Sequence, residues 1–299
     1  MRKKRRHRRH LSWKQRQIRI YTCFIVVAGA ACILMAAGAK KSNLSERLSR
    51  LTHKNIVNKA VEPMEQNISH MPTGTLITNY RYQEFGASDP NEIDVKAPMI
   101  ALTFDDGPNP DSTKRILKVL SENYSHATFF VVGTNAAKYP ETLQEIAASG
   151  CEIGNHTNNH KNLTKITDAE ISEQIDSVNR SVKKATGEQT TVIRPPYGAF
   201  DDHVLGMLSE PVVLWDLDTE DWSSRNAAEI VEHVMDNVKD GDIVLMHDIY
   251  DSTAEAVEIM VPKLKERGFL VMSVSEMAKY KGKTLELNKA YGKISVEEE

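Results

Sequence analysis

Short apolar runs alternate with longer amphipathic stretches from residue 98 onward. The apolar runs, rich in β-branched and aromatic residues, predict buried strands at Met99–Phe104, Ala127–Val132, Cys151–Gly154, Thr191–Ile193, Val212–Trp215, Ile243–Met246 and Phe269–Met272. Apolar positions three and four residues apart predict helices at Ser112–Glu122, Glu141–Ser149, Asp168–Ala185, Ala227–Val238 and Thr253–Arg267. The predicted fold class is therefore α/β, and the pattern fits either a parallel (β/α) barrel or a doubly wound sheet.

A separate apolar run, IYTCFIVVAGAACILMAAGA, occupies residues 20–39 and carries no charge. A helix of this length spans a hydrocarbon core of about 30 Å. Ten Lys and Arg residues and no acid lie in residues 1–39, all ten before the run, which places residues 1–19 in the cytoplasm. A cleaved signal is the alternative, because Ala37-Gly38-Ala39 fits a cleavage site, yet the run exceeds the ~7–15 residues of a signal core. The sequence predicts a single-pass transmembrane anchor in the cell membrane, with the following chain extracellular and the lipid bilayer as a partner.

The chain beyond this anchor divides into three parts by composition. Residues 40–97 are polar and predict an extracellular stalk or linker, residues 98–282 a globular domain, and residues 283–299 an acidic tail. Beyond residue 39 the chain has 28 basic and 41 acidic residues, a formal charge of −13, which argues against a nucleic-acid partner. Cys151 is the only cysteine of the globular part, so a disulfide within it is excluded. The oligomeric state stays open.

Polar side chains follow most of the predicted strands at the point where each strand ends. They are Asp105 and Asp106 after the first strand, His156 and His160 after the third, Arg194 after the fourth, Asp218 and Asp221 after the fifth, and His247 and Asp248 after the sixth. The carboxyl ends of parallel strands converge on one face of a barrel, and an open sheet gathers some of them at one edge. We therefore expect these groups to form one site.

Two histidines of this set, His156 and His160, are spaced as the ligands of a metal ion often are. In a helical turn, residues four apart present their imidazoles on the same side. Two imidazoles and one carboxylate suit Zn²⁺, which lowers the pKa of bound water and polarises carbonyl groups. The Asp105-Asp106-Gly107-Pro108 segment also fits a helix N-cap and turn, so its pattern alone leaves a structural role open.

Five segments in order resemble the motifs of the polysaccharide deacetylases, carbohydrate esterase family 4. They are Thr103–Pro108, His156–His160, Arg194–Gly198, Asp218–Trp222 and Ile243–Asp248. The resemblance covers about residues 98–280 and implies a distorted (β/α) barrel of about seven parallel strands. The anchor and stalk resemble those of bacterial cell-surface members that deacetylate peptidoglycan N-acetylglucosamine.

The resemblance implies a metal centre and a general base on the first strand. Asp106, His156 and His160 would bind one divalent ion, with Zn²⁺ favoured and Co²⁺ or Mn²⁺ as alternatives. Asp105 would activate water, and Arg194 would hold the Asp105 carboxylate ionised, as a neighbouring cation should.

The resemblance also implies a general acid and a substrate pocket. His247 would protonate the leaving nitrogen, with Asp221 as its partner, although Asp218 is also close enough in sequence to be a candidate. The backbone N–H of Tyr197 would stabilise the oxyanion. Trp222 and Leu245 would line a pocket for the acetyl methyl group, although either side chain would serve equally well as ordinary packing.

The activity implied by the resemblance is metal-dependent hydrolysis of N-acetyl groups on amino sugars of a cell-wall glycan, with peptidoglycan favoured. Poly-N-acetylglucosamine, chitin oligomers and O-acetylated xylan are alternative substrates, because the motifs describe deacetylation more than the surrounding sugar. A metal-dependent glycan-binding module without turnover is the alternative from a different class.

Overall fold

The computed structural model describes residues 93–295. In this part of the chain the strands are β1 (Met99–Asp105), β2 (Thr128–Val131), β3 (Glu152–Asn155), β4 (Val212–Val213), β5 (Leu217–Asp218), β6 (Ile243–His247), β7 (Leu270–Met272) and β8 (Ala290–Tyr291). The α-helices are α1 (Ser112–Glu122), α2 (Gly133–Lys138), α3 (Pro140–Ala148), α4 (Asp168–Thr186), α5 (Asp202–Met207), α6 (Asp221–Ser224), α7 (Ala227–Asn237), α8 (Asp251–Glu266) and α9 (Val274–Tyr280).

A parallel sheet of order β3-β2-β1-β6-β5 forms the centre of the domain, and β7 also pairs with β1. All seven residues of β1 are buried, as expected of a parallel strand covered on both faces. Helices α1, α8 and α7 pack side by side around the sheet, as do α3 and α4. These contacts set the carboxyl ends of β1, β2, β3 and β6 close together.

The predicted strand at residues 191–193 is reduced to a single residue. Ile193 forms isolated parallel bridges with Asn155 at the end of β3 and with Val212 in β4. Through these bridges the order of strands continues from β3 to β4, while β5, a few residues later, pairs with β6. The segment 212–218 therefore connects the two ends of the sheet, and the architecture is barrel-like, as predicted.

The predicted strand at 212–215 is shortened to β4, and a side chain binds the chain where this strand ends. The Arg194 guanidinium donates from Nε to the carbonyl oxygen of Val213 at 3.1 Å and from Nη2 to that of Leu214 at 2.7 Å. Carbonyl groups turned toward this buried cation interrupt the strand at that point, which distorts the barrel.

All five predicted helices are present, and every end lies within two residues of the expected bound. Helix α4 begins with a capping box, in which the Thr167 side chain accepts from the Glu170 N–H and the Glu170 carboxylate accepts from the Thr167 N–H. It ends at Gly187, whose φ of 83° suits a left-handed cap. Helices α2, α5, α6 and α9 are too short for periodicity to predict them.

The structure differs from the predicted acidic tail over residues 283–295. Strand β8 pairs in parallel with β4, and Ile294 lies in the core at 2% exposure. The Ile294 carbonyl oxygen would lie only 2.3 Å from a Cβ at Gly241, which itself has a φ of 86°. Because this segment pairs with β4 and contributes Ile294 to the core, the domain continues through residue 295.

The predicted cytoplasmic tail, the anchor at 20–39 and nearly all of the stalk at 40–97 lie outside the described residues. Between residues 93 and 295, none of the helices combines the length and the apolar character that crossing a bilayer requires.

Candidate active site

Asp105 and His247 occupy paired positions at the carboxyl ends of neighbouring strands. Asp105 is the last residue of β1 and His247 the last of β6, and the two are register partners. The chain then turns sharply at Asp106, whose φ of 72° is in the left-handed region. Asp106 thereby lies beside Asp105 at the same edge of the barrel.

Asp105 is held by a buried cation. Arg194 donates from Nη1 to Asp105 Oδ1 at 2.7 Å and to Thr103 Oγ1 at 2.9 Å, and both charged side chains are almost completely buried. The guanidinium also lies 4.2 Å from the centre of the Phe130 ring. Burial lowers the pKa of Arg194 below its ordinary value, and the Asp105 carboxylate opposes that shift. The pair fixes the direction in which the second Asp105 oxygen points.

A cluster of one carboxylate and two imidazoles lies next to this pair. The Asp106 Oδ1 atom is 3.7 Å from His156 Nε2 and 3.6 Å from His160 Nε2. All three ligand atoms lie within 4.8 Å of one another. Ligands of a tetrahedral zinc ion, at about 2.0–2.2 Å from the metal, lie roughly 3.3–3.6 Å apart. The three side chains therefore fit a divalent ion of this kind with little movement.

The tautomer of His156 also suits metal binding. Its Nδ1 lies 2.7 Å from the Arg194 carbonyl oxygen, which can only accept, so Nδ1 carries the proton. The lone pair of Nε2 is then free and points toward Asp106. A backbone carbonyl on the second nitrogen is the usual way in which a metal-binding imidazole is oriented.

The loop that carries both histidines is not the helical turn that their spacing suggested. Thr157 and His160 have φ values of 64° and 59°, which interrupt any helix between them. The Asn155 side chain accepts from the Thr157 N–H at 2.9 Å and stabilises the turn. The two imidazole rings still meet, with centroids 5.0 Å apart. The prediction that they lie together holds, while its helical explanation is wrong.

His247 is bound by Asp221, not by Asp218. Its Nδ1 lies 2.8 Å from Asp221 Oδ1, and its backbone N–H donates to Asp221 Oδ2 at 2.7 Å. Thr253 Oγ1 also donates to Asp221 Oδ2, at 2.6 Å. Asp218 instead accepts from the Glu220 N–H. Of the two candidate partners, only Asp221 orients the imidazole.

The surroundings of His247 favour its protonated form. Burial on its own lowers the pKa of His247, but the Asp221 hydrogen bond and charge, followed by the charges of Asp105 and Asp106, raise it above the ordinary value overall. An imidazole that keeps its proton near neutral pH is suited to act as an acid.

We expect Asp221→Asn to shift the alkaline limb of the pH–kcat profile to lower pH. The substitution keeps the shape of Asp221 but removes the charge that raises the pKa of His247, so the acidic imidazolium is lost earlier as pH rises. Acetate release measured across pH tests this expectation. Asp218→Asn is the matched control, and a shift in that variant instead of Asp221→Asn would show that the partner is wrongly assigned.

The three residues predicted to meet the substrate lie at different depths. Tyr197 is 69% exposed, has a φ of 63°, and its ring lies 4.7 Å from that of His160. Trp222 is 52% exposed at the start of α6, whereas Leu245 is buried in β6. Tyr197 and Trp222 thus form part of the open rim of the site, and Leu245 belongs to its interior.

Two positions at the site were not found from the sequence. Asn135 donates from Nδ2 to the carbonyl oxygen of Asp106 at 2.8 Å and so supports its unusual backbone. Asn135 follows the end of β2, and this position after a strand could have marked it as a site residue. Its uncharged amide, however, does not distinguish it from ordinary polar residues in the sequence. Thr253, which binds Asp221, lies in the first turn of α8 and carries no sequence signal of its own.

Asp248 lies fully buried beneath the loop that carries Asp106. It accepts a short hydrogen bond from Thr113, and burial raises its pKa to about 7. A Cβ at Gly107 would lie 2.2 Å from Asp248 Oδ1, so only glycine allows this close approach. The Asp248 side chain therefore packs directly against the loop at Gly107.

Three side chains that could hold a divalent cation, a fixed carboxylate and an imidazole paired with an aspartate lie together at the carboxyl ends of a parallel barrel. This combination is typical of metal-dependent hydrolases. The sequence pattern of the polysaccharide deacetylase family matches residues 92–210.

Proteins of known activity are similar to this chain over the same region. A peptidoglycan N-acetylmuramic acid deacetylase of Bacillus subtilis is 41% identical over 189 residues, 63% of this chain and 40% of that protein. A peptidoglycan N-acetylglucosamine deacetylase of Listeria monocytogenes is 37% identical over 192 residues, 64% of this chain and 41% of that protein. A chitooligosaccharide deacetylase of Sinorhizobium fredii is 35% identical over 197 residues, 60% of this chain and 92% of that protein. The chain spans about two fifths of the first two relatives.

Solved structures agree with these similarities. A peptidoglycan deacetylase of Bacillus subtilis superposes with a TM-score of 0.63 at 40% identity, covering 64% of this chain and 94% of that one. A family 4 acetyl xylan esterase of Clostridium thermocellum, solved in complex with a cobalt ion, gives 0.62 at 30% identity, covering 66% and 98%. The chain belongs to the polysaccharide deacetylase family. This confirms the family predicted from the five motifs, and the enzyme class predicted with it is that of the deacetylases to which the chain is similar.

Proposed function

We propose that this domain removes N-acetyl groups from the amino sugars of peptidoglycan. The observation that carries the proposal is the placement of Asp105 and His247 at paired register positions, with the Asp106 cluster beside them. Hydrolysis of an amide requires a base that activates water and an acid that protonates the leaving nitrogen. The similarity to peptidoglycan deacetylases favours this polymer over others.

Asp106, His156 and His160 would hold one divalent ion, for which Zn²⁺ is the proposed species. A bound ion of this charge polarises the acetyl carbonyl and makes water more acidic. Their ligand atoms lie within 4.8 Å of one another, the Arg194 carbonyl oxygen orients His156, and Asn135 supports the backbone of Asp106.

Asp105 takes a proton from the attacking water. Its Oδ1 is bound by Arg194, so Oδ2 is the atom available for the proton. The Tyr197 N–H donates to the oxygen that becomes negative as the carbonyl carbon turns tetrahedral.

His247 completes the reaction by giving its proton to the sugar nitrogen. An amide nitrogen leaves as an amine only when it is protonated, so the acid is needed for the C–N bond to break. Asp221 holds Nδ1, which leaves the Nε2 proton for transfer. Acetate and a free amino sugar result, with Leu245 and Trp222 proposed to line the space for the acetyl methyl.

The test is to incubate cell walls with the full-length protein and to analyse the digested fragments by mass spectrometry. We expect fragments lacking one acetyl group, together with released acetate. Chelation should abolish the release and Zn²⁺ should restore it. Full activity in a metal-free preparation would refute the metal dependence. Activity on chitin oligomers but not on cell walls would show that peptidoglycan is not the substrate.

We also propose that residues 20–39 anchor the enzyme in the membrane with the domain outside. Protease added to intact cells should then remove the domain while a tag at residue 1 stays protected. Recovery of the intact domain in the medium would indicate cleavage instead.

A further inference from the structure

Arg225 presents a fixed guanidinium at the rim of the active site. It follows α6 directly, is exposed, and has a φ of 50°. Its Nε donates to the Trp222 carbonyl oxygen at 2.9 Å, and its Cζ lies 3.2 Å from the centre of the Tyr250 ring. The side chain is therefore held by stacking and by one hydrogen bond, although it is open to solvent.

This cation lacks a carboxylate partner in the part of the chain that the structure describes. Arg115 binds Glu258 and Arg180 binds Glu173, whereas the hydrogen bond of Arg225 goes to a backbone carbonyl. A guanidinium stacked flat on an aromatic ring keeps the N–H groups at its edge available for donation. The Nη atoms of Arg225 can thus bind a further acceptor.

Arg225 lies close enough to the active site for that acceptor to belong to a bound substrate. The Tyr250 ring centre lies 5.9 Å from that of His247 and 3.2 Å from Arg225 Cζ, so the cation is within about 9 Å of the His247 ring. The groups nearer the reaction centre, Asp105 and Asp106, are acidic. A negatively charged group next to the reacting sugar could therefore contact Arg225 on the His247 side of the site.

We propose that Arg225 binds a carboxylate of the glycan and so selects acidic peptidoglycan over neutral polymers of N-acetylglucosamine. This inference rests on the proposed function and adds the chemistry by which the substrate is recognised. A guanidinium matches a carboxylate in shape and charge, and such charge-assisted hydrogen bonds are among the stronger ones in proteins.

Peptidoglycan offers such a carboxylate from two sources. One is the lactyl group of a muramic acid residue that carries no peptide, and the other is the peptide attached to muramic acid. Chitin oligomers have neither. The shared chemistry is a carboxylate near the amino sugar, and the two sources are distinguished by removing the peptides.

The experiment compares full-length wild type, Arg225→Gln and Arg225→Lys on peptide-bearing peptidoglycan, on peptide-free glycan strands and on chitin oligomers. We expect Arg225→Gln to lose about tenfold in kcat/KM on a carboxylate-bearing substrate, mainly through KM. Activity on chitin oligomers should stay within about twofold, and Arg225→Lys should recover part of the loss. If Arg225→Gln loses activity on peptide-free strands, Arg225 binds the lactyl carboxylate. If it loses activity only on the peptide-bearing polymer, Arg225 binds a carboxylate of the peptide.

Arg180→Gln is the matched control, because Arg180 is also exposed but lies on α4 and pairs with Glu173. Calorimetric binding of the glycan strands and of chitin oligomers to wild type and Arg225→Gln tests the same discrimination without turnover. Equal losses on all three substrates, or none, would overturn the inference and leave Arg225 as a support for Trp222 and Tyr250. Absence of acetate release by the wild type would refute the proposed function alone, because the binding comparison still decides the role of Arg225.

Discussion

Asp105→Asn lowers acetate release by roughly 10²–10⁴-fold while the protein keeps its metal, if Asp105 is the general base. The amide has the shape of the carboxylate and can still accept from Arg194, but it cannot take a proton from water. Asp106, His156 and His160 are unchanged, so the metal affinity should stay close to that of the wild type. Steady-state kinetics together with the metal content of the purified variant measure both quantities.

His156→Ala is the companion variant, because it removes a ligand and leaves the base. It should lose metal as well as activity, and added Zn²⁺ should restore it poorly. If Asp105→Asn lost its metal to the same extent, Asp105 would be a ligand and the assignment of the base would be wrong.

Arg194→Met should destabilise the domain by about 3–5 kcal/mol in the free energy of unfolding, because it leaves the buried Asp105 carboxylate without its cation. The carbonyl groups of Val213 and Leu214 lose their donors as well. Any folded fraction should also be nearly inactive, since Asp105 loses the contact that fixes its orientation. Urea unfolding followed by circular dichroism measures the first effect.

Arg180→Met is the matched control for this loss of stability. The Arg180–Glu173 pair has a shorter contact, 2.6 Å, but both side chains are more than half exposed. Exposed pairs contribute only about 0–1 kcal/mol, so this variant should unfold near the wild-type midpoint. Equal unfolding midpoints for the two variants would contradict the structural role assigned to Arg194.

The convergence of the site was predictable because it follows from topology. Asp105, His156 and His247 each end or follow a strand, and parallel strands bring their carboxyl ends together whatever the intervening sequence is. Local conformation was not predictable in the same way. The spacing of His156 and His160 does not mark the positive φ of His160, and the early end of β4 lies beside carbonyl groups bound by Arg194, about 20 residues away in sequence.

The supporting residues were missed for a related reason. Asn135 has no charge to mark it, and its role depends on the carbonyl of Asp106 across the site. Asp248 is adjacent to His247, yet its burial beneath Gly107 cannot be deduced from that adjacency. Sequence patterns identify groups that can perform chemistry, while the groups that hold them are defined by tertiary neighbours.

Strand β8 determines where a catalytic fragment of this protein can end. The N–H groups of Val212 and Leu214 donate to carbonyl oxygens of Lys289 and Tyr291, so β8 covers what would otherwise be an open edge. A fragment cut after residue 282 would expose this edge, and unpaired strand edges invite pairing between molecules and aggregation. A fragment prepared for crystallisation or for screening inhibitors should therefore extend at least to residue 295.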